Sequence, residues 1–518
     1  MVEYQRFIDA TAKNKTVIFG AGNMGKAAYY FCSKLEIEPA FFFDNDLSKS
    51  GKYLFGKRIV LPKEEYLKSI DCVYVIASQY GNEIKQQLIS MNVQMNRIFS
   101  YEELLKEVGF STEKKEQVVY YPIFDDSEEL TSHYYRACWY LPRQNNRLKG
   151  VYLFSDKCEL LPKPEYMGSS NVSVDHVIVT DTISDYDRLL KEARVILVWK
   201  SISDVERGEL ELSGAKVVNI ITEDDEAKEY GRYCGLIWQY FKTQEEREEI
   251  LKKSYEKFCI ISNQIKRKKL HIGCIFGTGP SLESSYEFDF SNCLCVVCNS
   301  IVQDKNMLKH ISPVFVTAGD VVSHLGVSLY AEKFRSDLVE YLQNSEAFFL
   351  TTAAFGYIML EQCPEIAYKT ILVEQLLDKQ NYDLLECFAL PKLDSTLNIH
   401  MLPIVNTFCD RIYMNGCDGK SPDIDNEDFW AHSRKAQYTE LVGTGHKCHP
   451  TFDRNRQKKT YCRYQDSTTV SIEVGEKQYG KEYYILKQSY ISALEKKKII
   501  IGKDSKRNAQ GQLLLSEL

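Results

Sequence analysis

A chain of 518 residues, 44% hydrophobic and 26% charged, has the make-up of a soluble globular protein and the length of about three domains. Its net charge of −7 comes without a long basic block, which excludes nucleic acid as the main partner, and no apolar run reaches membrane-spanning length. The start, MVEYQRFIDATAKNKT, lacks the apolar core of a signal peptide, so the protein is expected in the cytoplasm, and cysteines inside apolar runs (Cys32, Cys259, Cys274, Cys295) read as reduced core residues.

The first predicted module spans residues 1–117. KTVIFGAGNMG sets Gly20, Gly22 and Gly25 after a strand and before the helix-like KAAYYFCSKL, and the next strand, AFFFD, ends on Asp44. An acid about 20 residues beyond such a loop completes the dinucleotide-binding fingerprint: the glycines serve the turn, the pyrophosphate approach and helix packing, while the acid takes ribose hydroxyls. NAD or another nucleotide is the ligand this pattern implies, with a nucleotide-fold scaffold or docking module as the bland reading. Residues 118–241 alternate strands (VVYYPIF, GVYLFS, HVIVTD, RVILVWK, AKVVNII) with helix-like spacing and carry no motif of their own. Residues 242–269 read as one charged connecting helix with Ile250, Tyr255 and Phe258 facing inward.

The third module, residues 270–502, opens with three apolar runs whose ends carry chemistry. Ile272 to Phe276 stops at Gly277, Thr278, Gly279, Pro280 and Ser281; Leu294 to Cys298 stops at Asn299; Pro313 to Thr317 leads to Asp320. A glycine turn at a helix N-terminus, an amide and a carboxylate at neighbouring strand ends make a ligand crevice in an open α/β sheet. Helix-like DSTLNIHMLPIVNTF follows, with Ser395 and Thr396 at its start, then the strand RIYMNGCDG with Asp418. Three histidines, His432, His446 and His449, fall in one later span. A zinc alternative for His446, Cys448 and His449 with Cys462 lacks standard ligand spacing, and no metal is assigned to them. Residues 503–518 read as a loose polar tail. The fold class is therefore α/β, three Rossmann-like modules with mostly parallel sheets.

GTGPSL, VVCNS, PVFVTAGD, DSTLNIHM and RIYMNGCDG together resemble the motifs of bacterial sialyltransferases that use CMP-sialic acid. They are also similar to motility-associated glycosyltransferases and to the pterin pyrophosphokinase-like superfamily. The first module resembles the small Rossmann-like domains attached to sugar-modifying enzymes, through GAG, FFDND, GKRIVLP and DCVYVIAS. The C-terminal resemblance implies a GT-A-like sialyltransferase-type fold and a glycosyltransferase that moves an acidic sugar (sialic acid, Kdo or a related nonulosonate) from a CMP-sugar donor to a surface-glycan acceptor. It implies nucleotide contacts at Gly277, Thr278, Gly279, Pro280, Ser281, Asn299, Ser395, Thr396 and Asp418, and a histidine base, His449 by spacing or His432. No cofactor is required on this reading. Thr278 stands where the family has asparagine, and Asp320 stands where the sialyltransferases have asparagine and the pyrophosphokinase-like members a carboxylate, which can hold Mg²⁺. The two alternatives are an ATP- and Mg²⁺-dependent pyrophosphokinase and a non-catalytic nucleotide-sensing scaffold.

Overall fold

The computed structural model describes residues 2–63, 71–78, 80–107, 115–140, 150–155, 177–220, 234–235, 238, 242–420, 432–451, 458–499, 501 and 505–515. The chain divides into two compact units, Met1–Leu130 with Arg143–Leu161 and Val174–Ile221, and Thr131–Pro142 with Pro162–Ser173 and Thr222–Leu518.

Short apolar runs broken by glycine, asparagine and aspartate become strands in both units, because a strand covered by helices on both faces needs a continuous apolar run. In the first unit, β1 (Lys15–Phe19), β2 (Pro39–Phe43), β3 (Tyr53–Leu54), β4 (Lys57–Val60), β5 (Cys72–Ile76) and β6 (Ile98–Ser100) form one sheet. Its order is β3-β4-β2-β1-β5-β6, with only β3 and β4 antiparallel. A second, wholly parallel sheet joins β7 (Lys115–Tyr121), β8 (Gly150–Phe154), β9 (Val177–Thr180), β10 (Ala193–Val198) and β11 (Lys216–Asn219) in the order β11-β10-β7-β8-β9. Both sheets begin with a central strand and wind outward to either side, which leaves a switch point beside β1 and beside β7.

The second unit is entered through helix Gln244–Lys268, started by a reciprocal capping box between Thr243 and Glu246 and stopped by Lys269 in the left-handed conformation. Phe258 is buried as expected, packing on Phe315, Phe388 and Phe408 at ring separations of 6.2, 5.4 and 5.7 Å. Tyr255, expected inward, is instead 40% exposed. The position facing the sheet is Ser254, whose hydroxyl accepts the Leu372 N–H at 3.0 Å; the backbone comes too close there for an aromatic ring.

The third sheet is built from β12 (Ile272–Phe276), β14 (Cys293–Cys298), β15 (Phe315–Thr317), β16 (Phe348–Thr352), β17 (Thr370–Val373), β20 (Arg411–Asn415) and β21 (Glu482–Ile485). All pairs are parallel, in the order β17-β16-β15-β14-β12-β20-β21. Two small pairs accompany it, β18 (Gln375–Leu377) with β19 (Leu390–Pro391), and β13 (Phe288–Asp289) with β22 (Leu513–Leu514). Part of the segment read as a loose polar tail is thus ordered: Leu515 is fully buried and Asn508 Nδ2 donates to Asp289 at 2.9 Å. The described cysteines are free thiols, and Cys32, Cys274 and Cys295 lie in the cores. Among the described residues no helix is long and apolar enough to cross a membrane.

Candidate functional site

At the carboxyl end of β12 the chain turns through Gly277 to Ser281, directly against the turn after its neighbour β20. A Cβ on Gly277 would lie 2.3 Å from the Gly416 carbonyl oxygen, and one on Gly416, whose φ is +69°, would lie 2.1 Å from that of Gly277. The two glycines are therefore dictated by each other's backbone. The turns are also hydrogen-bonded together: Gly277 N donates to Asn415 O at 2.8 Å and Gly279 N to Gly416 O at 2.8 Å. Ser281 gives its N–H and hydroxyl to Asp418 at 3.1 and 2.9 Å, and its Oγ accepts the Gly416 N–H at 2.9 Å. Three amides expected to greet an anion thus have protein acceptors. Burial pushes the Asp418 carboxyl up, against the lowering effect of the Ser281 bonds.

A cavity of about 800 Å³ opens over these turns, at the switch point of the sheet. It is lined by Gly277, Thr278, Gly279, Asn299, Asp320, Ser395, Thr396, Asp418 and His432. Pro280 and Ser281 do not line it. Asn299 and Ser395 are held at φ +52° and +75°, in the left-handed region, which asparagine adopts more readily than serine. The Asn299 side-chain oxygen is buried with no partner among the described residues. Ser395 precedes a π-helical stretch, Leu397–Met401, which turns Leu397, Ile399 and Met401 to the cavity. Asp320 spends its carboxylate on its own turn: Oδ1 accepts Val322 N and Ser323 N, both at 2.8 Å, and Oδ2 accepts the Ser323 hydroxyl at 3.0 Å. Mg²⁺ would have to compete with those bonds.

The histidines separate clearly. His432 lines the cavity with Nδ1 3.0 Å from Thr278 Oγ1, and its loop is tied down because Ser433 N donates to Thr278 O at 2.7 Å. His449 ends the short helix Val442–Cys448 with its ring 0% exposed and does not line the cavity. Burial first, and the nearby Arg136 guanidinium second, hold it well below the usual histidine range. His446 is half-buried and also outside the cavity, and the Cys462 side chain lies outside the described residues.

Two further histidines were not singled out from the sequence. His324 is 5% exposed, lines the cavity, and has no hydrogen-bond partner on either ring nitrogen among the described residues. Burial lowers it to about 4, with Asp320 pulling up and His432 pushing down. His400 lies beneath Gly319, where an added Cβ would come within 2.9 Å of the ring, and its Nε2 meets Thr352 Oγ1 at 3.1 Å. Burial lowers it to about 3. Tyr330, held by Ser300 and Gln437 and pushed up to about 12 by burial, and Lys392 complete the polar lining.

In the first unit, Gly20, Gly22 and Asp44 line a second cavity of about 1000 Å³ at the switch point between β1 and β5. Gly20, at φ +118°, passes within 2.3 Å of the Ala77 carbonyl when a Cβ is added, and a Cβ on Gly25 would meet Gly20 O at 1.9 Å. Those two glycines serve packing, and Gly25 does not line the cavity; Gly22 has nothing within 4 Å. Asp44 Oδ2 accepts Ala21 N at 2.8 Å and Lys49 Nζ at 3.1 Å, so the acid also pins its own glycine turn.

A family profile described as C2185-like, N-terminal, matches residues 12–99. No curated protein matches the chain in sequence. Among solved structures, the sialyltransferase CstII of Campylobacter jejuni, determined with the substrate analogue cytidine-5'-monophosphate, is similar at 18% identity and a TM-score of 0.25 over 47% of this chain and 93% of its own. The monofunctional α-2,3-sialyltransferase Cst-I of Campylobacter jejuni is similar at 13% identity and a TM-score of 0.27 over 48% of this chain and 89% of its own.

Proposed function

We propose that the 270–502 module is a glycosyltransferase that moves an acidic sugar (sialic acid, Kdo or a related nonulosonate) from a CMP-sugar donor to a hydroxyl of a surface-glycan acceptor. The observation that carries this reading is the pairing of His432 with Thr278 inside a polar cavity at the switch point of a parallel sheet. In the tautomer whose Nδ1–H donates to Thr278 Oγ1, Nε2 is the nitrogen that would take the acceptor's proton, and imidazole is suited to that near neutral pH. The acceptor oxygen then bonds to the anomeric carbon, the bond from that carbon to the CMP phosphate oxygen breaks, and the electron pair leaves with CMP. Ser395, Thr396 and Asn299, which line the cavity, would bond the nucleotide, and Lys392 in the same lining would meet its charge. On this reading His432 takes the role that chain spacing suggested for His449, and the three hydrogen bonds that Asp320 already accepts from its own turn favour a reaction without Mg²⁺ over a pyrophosphokinase.

Thermal shifts test the donor class. A ligand at a hundred times its dissociation constant adds about 2.7 kcal/mol, a shift of a few degrees. Stabilisation by CMP or CDP without metal is expected; stabilisation by ATP with Mg²⁺ alone would refute the proposal in favour of the kinase, and no response to either leaves the scaffold reading. His432→Ala is expected to lower sugar-nucleotide turnover by about 10²-fold or more.

A further inference from the structure

The cavity of the first unit has a wall that the nucleotide fingerprint does not account for. Helix Asp204–Leu212, which precedes β11 of the second sheet, lies against helix Asn23–Lys34 so closely that a Cβ on Gly208 would come within 2.5 Å of the Tyr30 ring. That contact brings Glu211 and the turn Ser213 to Lys216 to the cavity that Gly22 and Asp44 line. Glu211 is 2% exposed; its Oε1 accepts Arg207 Nε at 3.1 Å, and its Oε2 has no partner among the described residues. Tyr101, at the start of helix Tyr101–Glu107, is also 2% exposed, lines the same cavity and has no partner for its hydroxyl among the described residues. Buried polar atoms are normally satisfied, so two orphans on residues that line one cavity, one ahead of a strand of the second sheet and one behind a strand of the first, point to something that occupies it.

We propose that this cavity binds a pyrophosphate-linked nucleotide carrying a second hydroxyl-rich group, and that Glu211 Oε2 and the Tyr101 hydroxyl bond that second group. The topology sets the order of parts. Asp44 follows β2 on one side of β1, whereas Tyr101 follows β6 on the other, so a ligand crossing the sheet edge has its middle over Gly22 at the N-terminus of helix Asn23–Lys34. The middle part meets helical N–H groups and open space, which suits an anion. The end at Glu211 meets an acceptor, so it must bring O–H or N–H donors there. Burial pushes the Tyr101 hydroxyl up, which keeps it a neutral donor. A dinucleotide and a nucleoside diphosphate sugar share this chemistry. The second sheet, which carries no motif of its own, thereby acquires a role as the wall that reads the distal half of the ligand. None of this depends on the glycosyl-transfer reading, whose cavity belongs to the other compact unit.

The test is calorimetric titration of the full chain with NAD⁺ and ADP, and with UDP-glucose and UDP. One of the two complete ligands is expected to bind, and Gly22→Val, which fills the open side of the turn without touching a neighbour, should abolish binding. Tyr101→Phe and Glu211→Gln should each weaken the complete ligand about tenfold and leave the truncated nucleotide of the same series unchanged. Ligand-free Tyr101→Phe should melt no lower than the wild type, because the hydroxyl it loses has no partner among the described residues. The proposal is overturned if neither complete ligand binds at millimolar concentration, if binding survives Gly22→Val, or if the two wall substitutions leave the complete ligand unaffected or weaken both ligands alike.

Discussion

Replacing His324 by phenylalanine should make the second unit more tolerant of acid. The ring nitrogens of His324 have no partner among the described residues, and the ring packs edge-on against Phe334 at 4.7 Å, so a phenyl ring of similar shape gives up no hydrogen bond. Its ionisation falls from an ordinary value of 6.5 in the unfolded chain to about 4 in the folded one. Between those values the unfolded state binds more protons, so stability drops as pH falls from about 6.5 and the loss is complete only below about 4. At pH 5 the linkage amounts to about 2 kcal/mol, of about 3 kcal/mol in full. His400 and His449 carry the same sign but are present in both proteins and cancel in the comparison. Hydrogen exchange at the amides of β14, corrected for intrinsic rates, reports the opening free energy of this unit without interference from the other. Its decrease from pH 7.5 to pH 5 should be about 2 kcal/mol smaller in His324→Phe than in the wild type. Equal decreases in the two proteins would refute the reasoning, as would a large loss of stability in the variant at pH 7.5.

Other outcomes follow from the paired turns and the histidine. Gly416→Ala places a methyl group 2.1 Å from the Gly277 carbonyl oxygen at a positive φ and should cost at least about 3 kcal/mol by urea unfolding, whereas Gly443→Ala, in a helix with nothing within 4 Å, should gain a few tenths. Ser281→Ala breaks the hydroxyl bonds to Asp418 and Gly416 N and should lower stability by about 2 kcal/mol, with Ser281→Thr partly restoring it. Thr278→Val unties His432 Nδ1 and should reduce turnover about tenfold and shift the pH–rate profile, while Thr278→Ser retains both.

The sheets could be read from the chain because each buried strand is a short apolar run closed by a residue that turns the backbone, as at Gly277, Asn299 and Asp320. The convergence of those three positions on one cavity follows from strand order, and that too was legible once the runs were seen to alternate with helices. Which histidine reaches the cavity was not. Spacing favoured His449, but solvent access depends on what packs around a residue, and Arg136, from a distant part of the chain, lies near it. His432 reaches the cavity because Ser433 binds Thr278, a contact with no local signature. Tyr255 illustrates the same limit at smaller scale: periodicity assigned it inward, and the close approach of β17 gave the place to Ser254. The glycines of GTGPSL suggested an anion cradle, yet the structure spends much of their freedom on the facing turn. Glu211 is one of four acids in DVERGELEL, and only the meeting of two sheets sets it in a cavity.

The back-to-back glycines also bear on when the site can come into being. Gly277 follows the first strand of its module and Gly416 follows a strand far later in the chain, with β14 to β17 between them. Parallel strands so widely separated pair late, because loop closure must precede any reward from their contacts. One half of the sheet can assemble with β12 at its border while the cavity floor is still missing. Docking of β20 then creates both the floor and the Asp418–Ser281 clasp in one step. Partly folded chains should therefore show strand protection before any nucleotide affinity, and ligand present during refolding should act on the last step alone.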